Sequence, residues 1–322
     1  MKVRWGVLAL TGAVLAGCGS GSGAGSEGSS LPGYAREPGV PRVKSAADFP
    51  ELPLDRYEFS GREEKRLREA KNRLQRECMR SFGFEDFPLE PDTWIRGTRM
   101  ANSFTSTLVY VSPYGTLDLD RARRWGYGSD PGRTESMTAE LLPKGREVTD
   151  REDPVLNGTE AGEGGRSVVH GRRVPAGGCS AEATRRTMAT VGDETRLWAY
   201  VPERTEQIDT AVAKDERVRR AFADWSRCVE DKGFKRYASP ARAFRDEAWR
   251  RGREDGSTHR TKRELGTAVA DVECNRDLNV AGVWWAVADE KQRDDLRRNK
   301  SRYEAVRTDQ NRVRAEVRKV LG

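Results

Sequence analysis

Cys78-Met79-Arg80-Ser81-Phe82-Gly83-Phe84 is matched further along the chain by Cys228-Val229-Glu230-Asp231-Lys232-Gly233-Phe234. Each string has a cysteine, four residues, then Gly-Phe, and each follows a helical pattern. Upstream of the first, Ser60-Gly61-Arg62-Glu63 reads as a capping box, and Leu67, Ala70, Leu74 and Cys78 fall on one helical face. Upstream of the second, Val218, Phe222, Trp225 and Val229 form the apolar stripe. Gly83 and Gly233 can take the left-handed conformation that stops a helix, and the phenylalanine beyond each can fold back on the last turn. This weak duplication predicts two halves, over 51–200 and 201–322.

Each such helix is followed by a second cysteine on another predicted helix. Cys179 opens a run with no breaker until Gly192, and Cys274 lies in a run that starts near Arg263. Four cysteines allow three pairings; their order suggests Cys78 with Cys179 and Cys228 with Cys274, one bridge in each half. Zinc is a poor use for them, because no two have close ligand spacing and His170 and His259 lie outside any CxxC or HxxxH pattern, so no metal is expected.

The first half changes character after Trp94. Asn102 to Ser112 reads as a strand, Asp118 caps a short helix through Trp125, and Ser129 to Gly165 reads as a long mobile loop. Ser167-Val168-Val169-His170 and Arg172-Arg173-Val174, parted by Gly171, form a small hairpin. The second half is nearly all helix. Cys274, Leu278, Ala281, Trp285 and Ala288 make a seam that thins to Leu296, Tyr303, Val306, Val313 and Val317. A continuous helix of about 50 residues would extend ~75 Å, so it projects or breaks, and Asp271, Gly282 and Trp284 mark places for a kink or buried contact. The expected fold is α+β and predominantly helical, with two disulfide-stapled halves, a small β element in the first and a long C-terminal helix.

At the start of the chain, Lys2 and Arg4 precede an apolar run from Val7 that closes on Leu15-Ala16-Gly17-Cys18. That is a lipoprotein signal: residues 1–17 are removed and the Cys18 thiol carries a diacylglyceryl group. The run is too short to span a bilayer. Residues 18–50 are expected to act as a flexible tether, led by the Gly/Ser stretch Gly19 to Ser30. The localisation this predicts is the extracellular face of the cell membrane.

The 322 residues carry 34% charged and 36% hydrophobic side chains with net charge +7, or +5 once Lys2 and Arg4 are gone. Lys and Arg are interleaved with Asp and Glu, which argues against nucleic acid as a partner and favours a salt-bridged surface. Catalytic patterns are sparse. Ser129 lacks a G-x-S-x-G elbow, His170 sits in a hairpin beside two arginines, and no Gly-rich string lies between strand and helix to cradle a phosphate. No cofactor is expected. The one enzymatic candidate is the carboxylate pair Asp118 and Asp120 beside Tyr110, Tyr114, Trp125 and Tyr127, as a glycan-cleaving enzyme would need; helix capping and core aromatics are the plainer use.

The order of these motifs, together with Pro175 to Ala183, Trp225 to Phe234 and Ala270-Asp271-Val272-Glu273-Cys274, resembles a family of uncharacterised secreted lipoproteins from actinobacteria. The resemblance covers most of the mature chain, supports the cysteine framework and transfers no activity to any residue. The expected function is therefore a surface-anchored, non-catalytic protein that binds another envelope protein through the helical half or the loop before His170. A cell-wall glycan enzyme and the ligand-binding component of a transporter are the alternatives.

Overall fold

The computed structural model describes residues 31–87, 112–130, 148–158, 168–252 and 257–322. The signal, Cys18 and the Gly/Ser stretch lie outside the described residues, as does nearly all of the strand expected over Asn102 to Ser112. Ten α-helices and one hairpin are described: α1 (Gly61–Ser81), α2 (Leu119–Trp125), α3 (Asp153–Asn157), β1 (Val168–Val169), β2 (Arg172–Arg173), α4 (Gly178–Thr187), α5 (Glu194–Ala213), α6 (Glu216–Asp231), α7 (Pro240–Phe244), α8 (Lys262–Leu278), α9 (Val280–Arg298) and α10 (Lys300–Leu321), with short 3-10 turns before α1 and between α7 and α8. The fold is predominantly helical α+β, as the sequence predicts.

The long C-terminal helical run is present and is divided into α8, α9 and α10. The break after α8 is at Asn279, in the left-handed conformation at φ 55°, and a second interruption falls at Asn299. Helices α5 and α6 run antiparallel to this series: α6 packs on α8 and α9, and α5 on α9 and α10. Ion pairs mark the register, Arg196 to Asp309, Arg204 to Asp295, Arg217 to Glu290 and Lys232 to Glu273. Helix α1 lies against α10 and α4.

Both repeated strings close their helices in the same way. Phe84 N–H donates to the Met79 carbonyl at 3.2 Å and Gly83 N–H to Arg80 at 2.9 Å. Phe234 N–H donates to Val229 at 3.3 Å and Gly233 N–H to Glu230 at 2.8 Å. These are the paired bonds of a Schellman stop, with Gly83 and Gly233 at φ 85° and 86°. The capping box holds too, with Ser60 N–H donating to Glu63 at 2.8 Å and Glu63 N–H to Ser60 Oγ at 3.4 Å. The disulfides are Cys78–Cys179 and Cys228–Cys274.

Three expectations need correcting. Residues 31–50, assigned to the tether, are packed: Ala35 and Val43 are buried, and a strap from Pro41 to Tyr57 lies along α9 and α10. The boundary at 200/201 falls inside α5, and one core joins Leu54, Ala122 and Tyr127 of the first half to Trp225, Val272 and Tyr303 of the second. The stretch from Ser129 to Gly165 is not all loop, because α3 buries Val155 and Leu156 completely against Met79, Phe82 and Cys179. Hydrophobic pairs too short to show a helical period carry that contact.

Candidate functional site

Non-helical chain buried in a core needs partners for its backbone groups. Here the partners are polar side chains on the core-facing sides of α8 to α10. Asn279 Oδ1 accepts from Val43 N–H at 2.9 Å while its Nδ2 donates to the Pro41 carbonyl at 2.9 Å. Gln292 accepts from Leu54 N–H at 2.9 Å, and Gln310 donates to the Tyr57 carbonyl. Gly282 belongs to this set, because a Cβ there would fall on the Pro41 carbonyl oxygen. The strap is thus pinned at successive points along α9 and α10.

The same device holds residues 112–130 on α8. Asn275 Nδ2 donates to the Tyr114 carbonyl, Arg276 donates to Leu117 at 2.6 Å, and Glu264 accepts from Tyr127 N–H at 3.2 Å. At the centre is Asp271, 1% exposed, whose Oδ1 accepts from Trp225 Nε1 at 3.0 Å and Oδ2 from the Tyr127 hydroxyl at 3.2 Å. Burial pushes the Asp271 carboxyl up to about 8, against the opposing pull of the Tyr127 and Trp225 hydrogen bonds. It is therefore mostly protonated at neutral pH and acts as an internal hydrogen-bonding group. Asp295 goes the other way: burial raises it, but hydrogen bonds from Arg204 and Tyr303 overcome that and hold it below the usual range.

Asp118 and Asp120 do not converge on an aromatic platform. Asp118 caps α2, accepting from Arg121 N–H at 2.9 Å, and Asp120 is exposed, 3.6 Å from Arg123. Tyr127 is buried against Trp249 and Phe244, Tyr114 packs on Phe49 and Trp284, and Trp125 lies under the Arg260 guanidinium. Tyr110 lies outside the described residues. His170 and Gly171 form the two-residue turn of the hairpin, at φ 49° and 75°, and the His170 ring rests against Gly83. His259 shares a 2.8 Å hydrogen bond with the Arg251 carbonyl. Of the three positions marked for a kink or buried contact, Asp271, Gly282 and Trp284, all make buried contacts and the break is at Asn279. The thin end of the C-terminal seam, part of the helical half expected to bind a partner, is occupied internally: Tyr303, Val306, Val313 and Val317 are buried.

Two surface concavities are formed by described residues. One, about 610 Å³, lies beside Cys78 and mixes Glu77 and Glu182 with Arg172, Arg173 and Arg186. The other, about 770 Å³, runs between the end of α5, the flank of α6 and the loop after it, and its charged residues are Lys214, Arg219 and Arg236. Sequence reading missed this groove, because its cations are scattered among many balanced charges. Among the described residues no group of three or more His, Cys, Asp or Glu could hold a metal, and no helix is long and apolar enough to cross a membrane. Comparison of the chain with protein-family models, with curated proteins and with solved structures finds no match, so its functional reading rests on its own residues.

Proposed function

We propose that the chain is a lipoprotein, held on the outer face of the cell membrane by acylated Cys18, whose helical body is a non-catalytic binding partner for another envelope component. The observation that carries this reading is Leu15-Ala16-Gly17-Cys18 at the end of a short apolar run behind two basic residues. Two acyl chains anchor firmly where one does so marginally. The buried acids among the described residues support the non-catalytic part of this reading, because Glu152, Glu264, Asp271, Asp295 and Asp309 are engaged with backbone N–H groups or neighbouring side chains. Asp118, one of the two carboxylates of the glycan-cleaving alternative, is engaged as a helix cap.

The test is labelling with radioactive palmitate and fractionation of cells carrying the wild-type chain or Cys18→Ala. Label and membrane association in the wild type, with no label in the variant, support the anchor; a wild type without label ends it. Cross-linking on intact cells then separates the functional readings. One recurrent envelope protein supports the binding role, whereas turnover of cell-wall glycan that is lost in Asp118→Ala replaces it with the enzymatic reading.

A further inference from the structure

We propose that the groove of Lys214, Arg219 and Arg236 binds the phosphate of anionic lipid head groups and so lays the α6 side of the body on the membrane. The inference rests on the lipid-anchor reading above and gives the anchored body an orientation.

The groove is basic without a matching acid in its lining. Its charged lining residues are all cations, and Lys214 and Arg219 are exposed with no carboxylate partner among the described residues. Arg236 is the third, its guanidinium 3.6 Å from Glu230. This departs from the rest of the α5–α6 surface, where Arg204, Arg217, Arg220 and Arg227 each hold an acid. The floor is apolar: Phe222 is half-buried and stacked on Trp284, and Tyr237 is buried with its hydroxyl donating to Asp246. A cationic rim over an aromatic floor suits an anion that carries an apolar body. A phosphate diester on a glycerol backbone is such an anion, and a free inorganic phosphate would use only the rim.

Connectivity selects the lipid. The packed body begins at Leu31, and the 3-10 turn Gly33–Ala35 lies on α6 and α9, with the Tyr34 hydroxyl donating to Asp224. The chain therefore leaves the body along one flank of α6, and the groove opens on its other flank, about one helix diameter (~10 Å) away. Twelve residues, Gly19 to Ser30, separate Cys18 from the body, and even fully extended they span only about 40 Å. An acylated Cys18 keeps this side of the body within that reach of the head groups. Each cation near an anionic surface contributes about a fivefold preference for it.

The experiment uses the lipidated protein reconstituted into vesicles of phosphatidylcholine alone or of an equal mixture with phosphatidylglycerol. Flotation reads attachment, and acetylation of Lys214, measured against exposed Lys300 in the same molecules, reads the groove. The expected result is flotation with both vesicles and at least fivefold slower acetylation of Lys214 on the anionic ones, lost in Arg219→Gln, whose side chain is exposed. Flotation with both and equal acetylation of Lys214 overturns the groove while leaving the anchor. Flotation with the anionic vesicles alone, lost in Arg219→Gln, overturns the anchor and supports the groove. Flotation with neither overturns both. Equal protection of Lys214 by millimolar inorganic phosphate on neutral vesicles overturns the lipid assignment in favour of a free-anion site.

Discussion

Replacing Asp271 by Asn should stabilise the protein at neutral pH, contrary to the usual result of altering a fully buried hydrogen-bonded side chain. The folded carboxyl titrates at about 8, whereas an unfolded aspartate titrates near 3.9. Below pH ~3.9 both states hold the proton and the group makes no pH-dependent difference. As pH rises from there to 8, the unfolded chain has released the proton and the folded chain keeps it, so stability falls by about 1.4 kcal/mol per pH unit, or about 4 kcal/mol at pH 7. Above 8 the folded group ionises as well and the loss levels off. An asparagine has no proton to release and fits the same contacts: its Oδ1 accepts from Trp225 Nε1 and its Nδ2 donates to the Tyr127 oxygen. Urea denaturation of both proteins from pH 4 to 8, disulfides intact, gives the difference directly, because every other titrating group is shared. The expected gap opens in favour of Asp271→Asn as pH rises. Parallel stability curves across that range would refute the assignment of a neutral Asp271.

Other parts of the structure make separate predictions. Cys18→Ala should lose palmitate label and membrane attachment, read by labelling and fractionation. Removing either disulfide by paired Cys→Ser substitution, across sequence separations of 101 and 46 residues, should cost about 4–5 kcal/mol each in the chain-entropy account, read as a fall in denaturation midpoint. Gly282→Ala forces a methyl onto the Pro41 carbonyl and should destabilise by about 1–3 kcal/mol, with faster hydrogen exchange at Val43 N–H. Glu63→Gln removes an acid held at about 2, chiefly by its hydrogen bond from Arg314; the wild-type contribution is present above pH 4.5 and fades as pH falls toward 2, so the variant's deficit should shrink in acid.

What the sequence made legible were features carried by short, local patterns. The capping box, the two glycine stops, the hairpin and the apolar stripes need only neighbours three to five residues away, and each is found where its pattern lies. The disulfide pairing followed from the order of helices. Long-range contacts were hidden for identifiable reasons. The strap from Pro41 to Tyr57 has no period, because its Val43, Leu54 and Tyr57 reach the core from non-helical chain and a single 3-10 turn. Pro202 lies within α5 and reads as a breaker, although its ring is on the exposed side. The polar groups Glu264, Asn275, Gln292 and Gln310 read as solvated faces of charged helices; only the burial of a non-helical chain against them reveals their use. The basic groove joins Lys214 at the end of α5 to Arg236 beyond the Gly233 stop, a proximity that no spacing rule supplies.

These hidden contacts explain how a chain with almost as many charged as apolar residues maintains one core. A strap of irregular backbone laid on an all-apolar helix would leave its amides unpaired, at about 1–3 kcal/mol for each buried group. Val43 and Leu54 N–H instead find Asn279 and Gln292, and the Pro41 and Tyr57 carbonyls find Asn279 and Gln310. Substituting those helix side chains with leucine would raise hydrophobicity and weaken the fold, because it strands the strap's backbone. The proposed anchor would load the same contacts. The strap is the continuation of the chain from Cys18, so any drag on a tethered body is transmitted first to residues 31–57, and the pins on α9 and α10 are what resist it. Gln292→Leu should then leave the helices' circular dichroism nearly unchanged while exposing the chain near Leu54 to proteolysis. Resistance equal to wild type would mean that apolar packing of Leu54 and Tyr57 alone holds the strap.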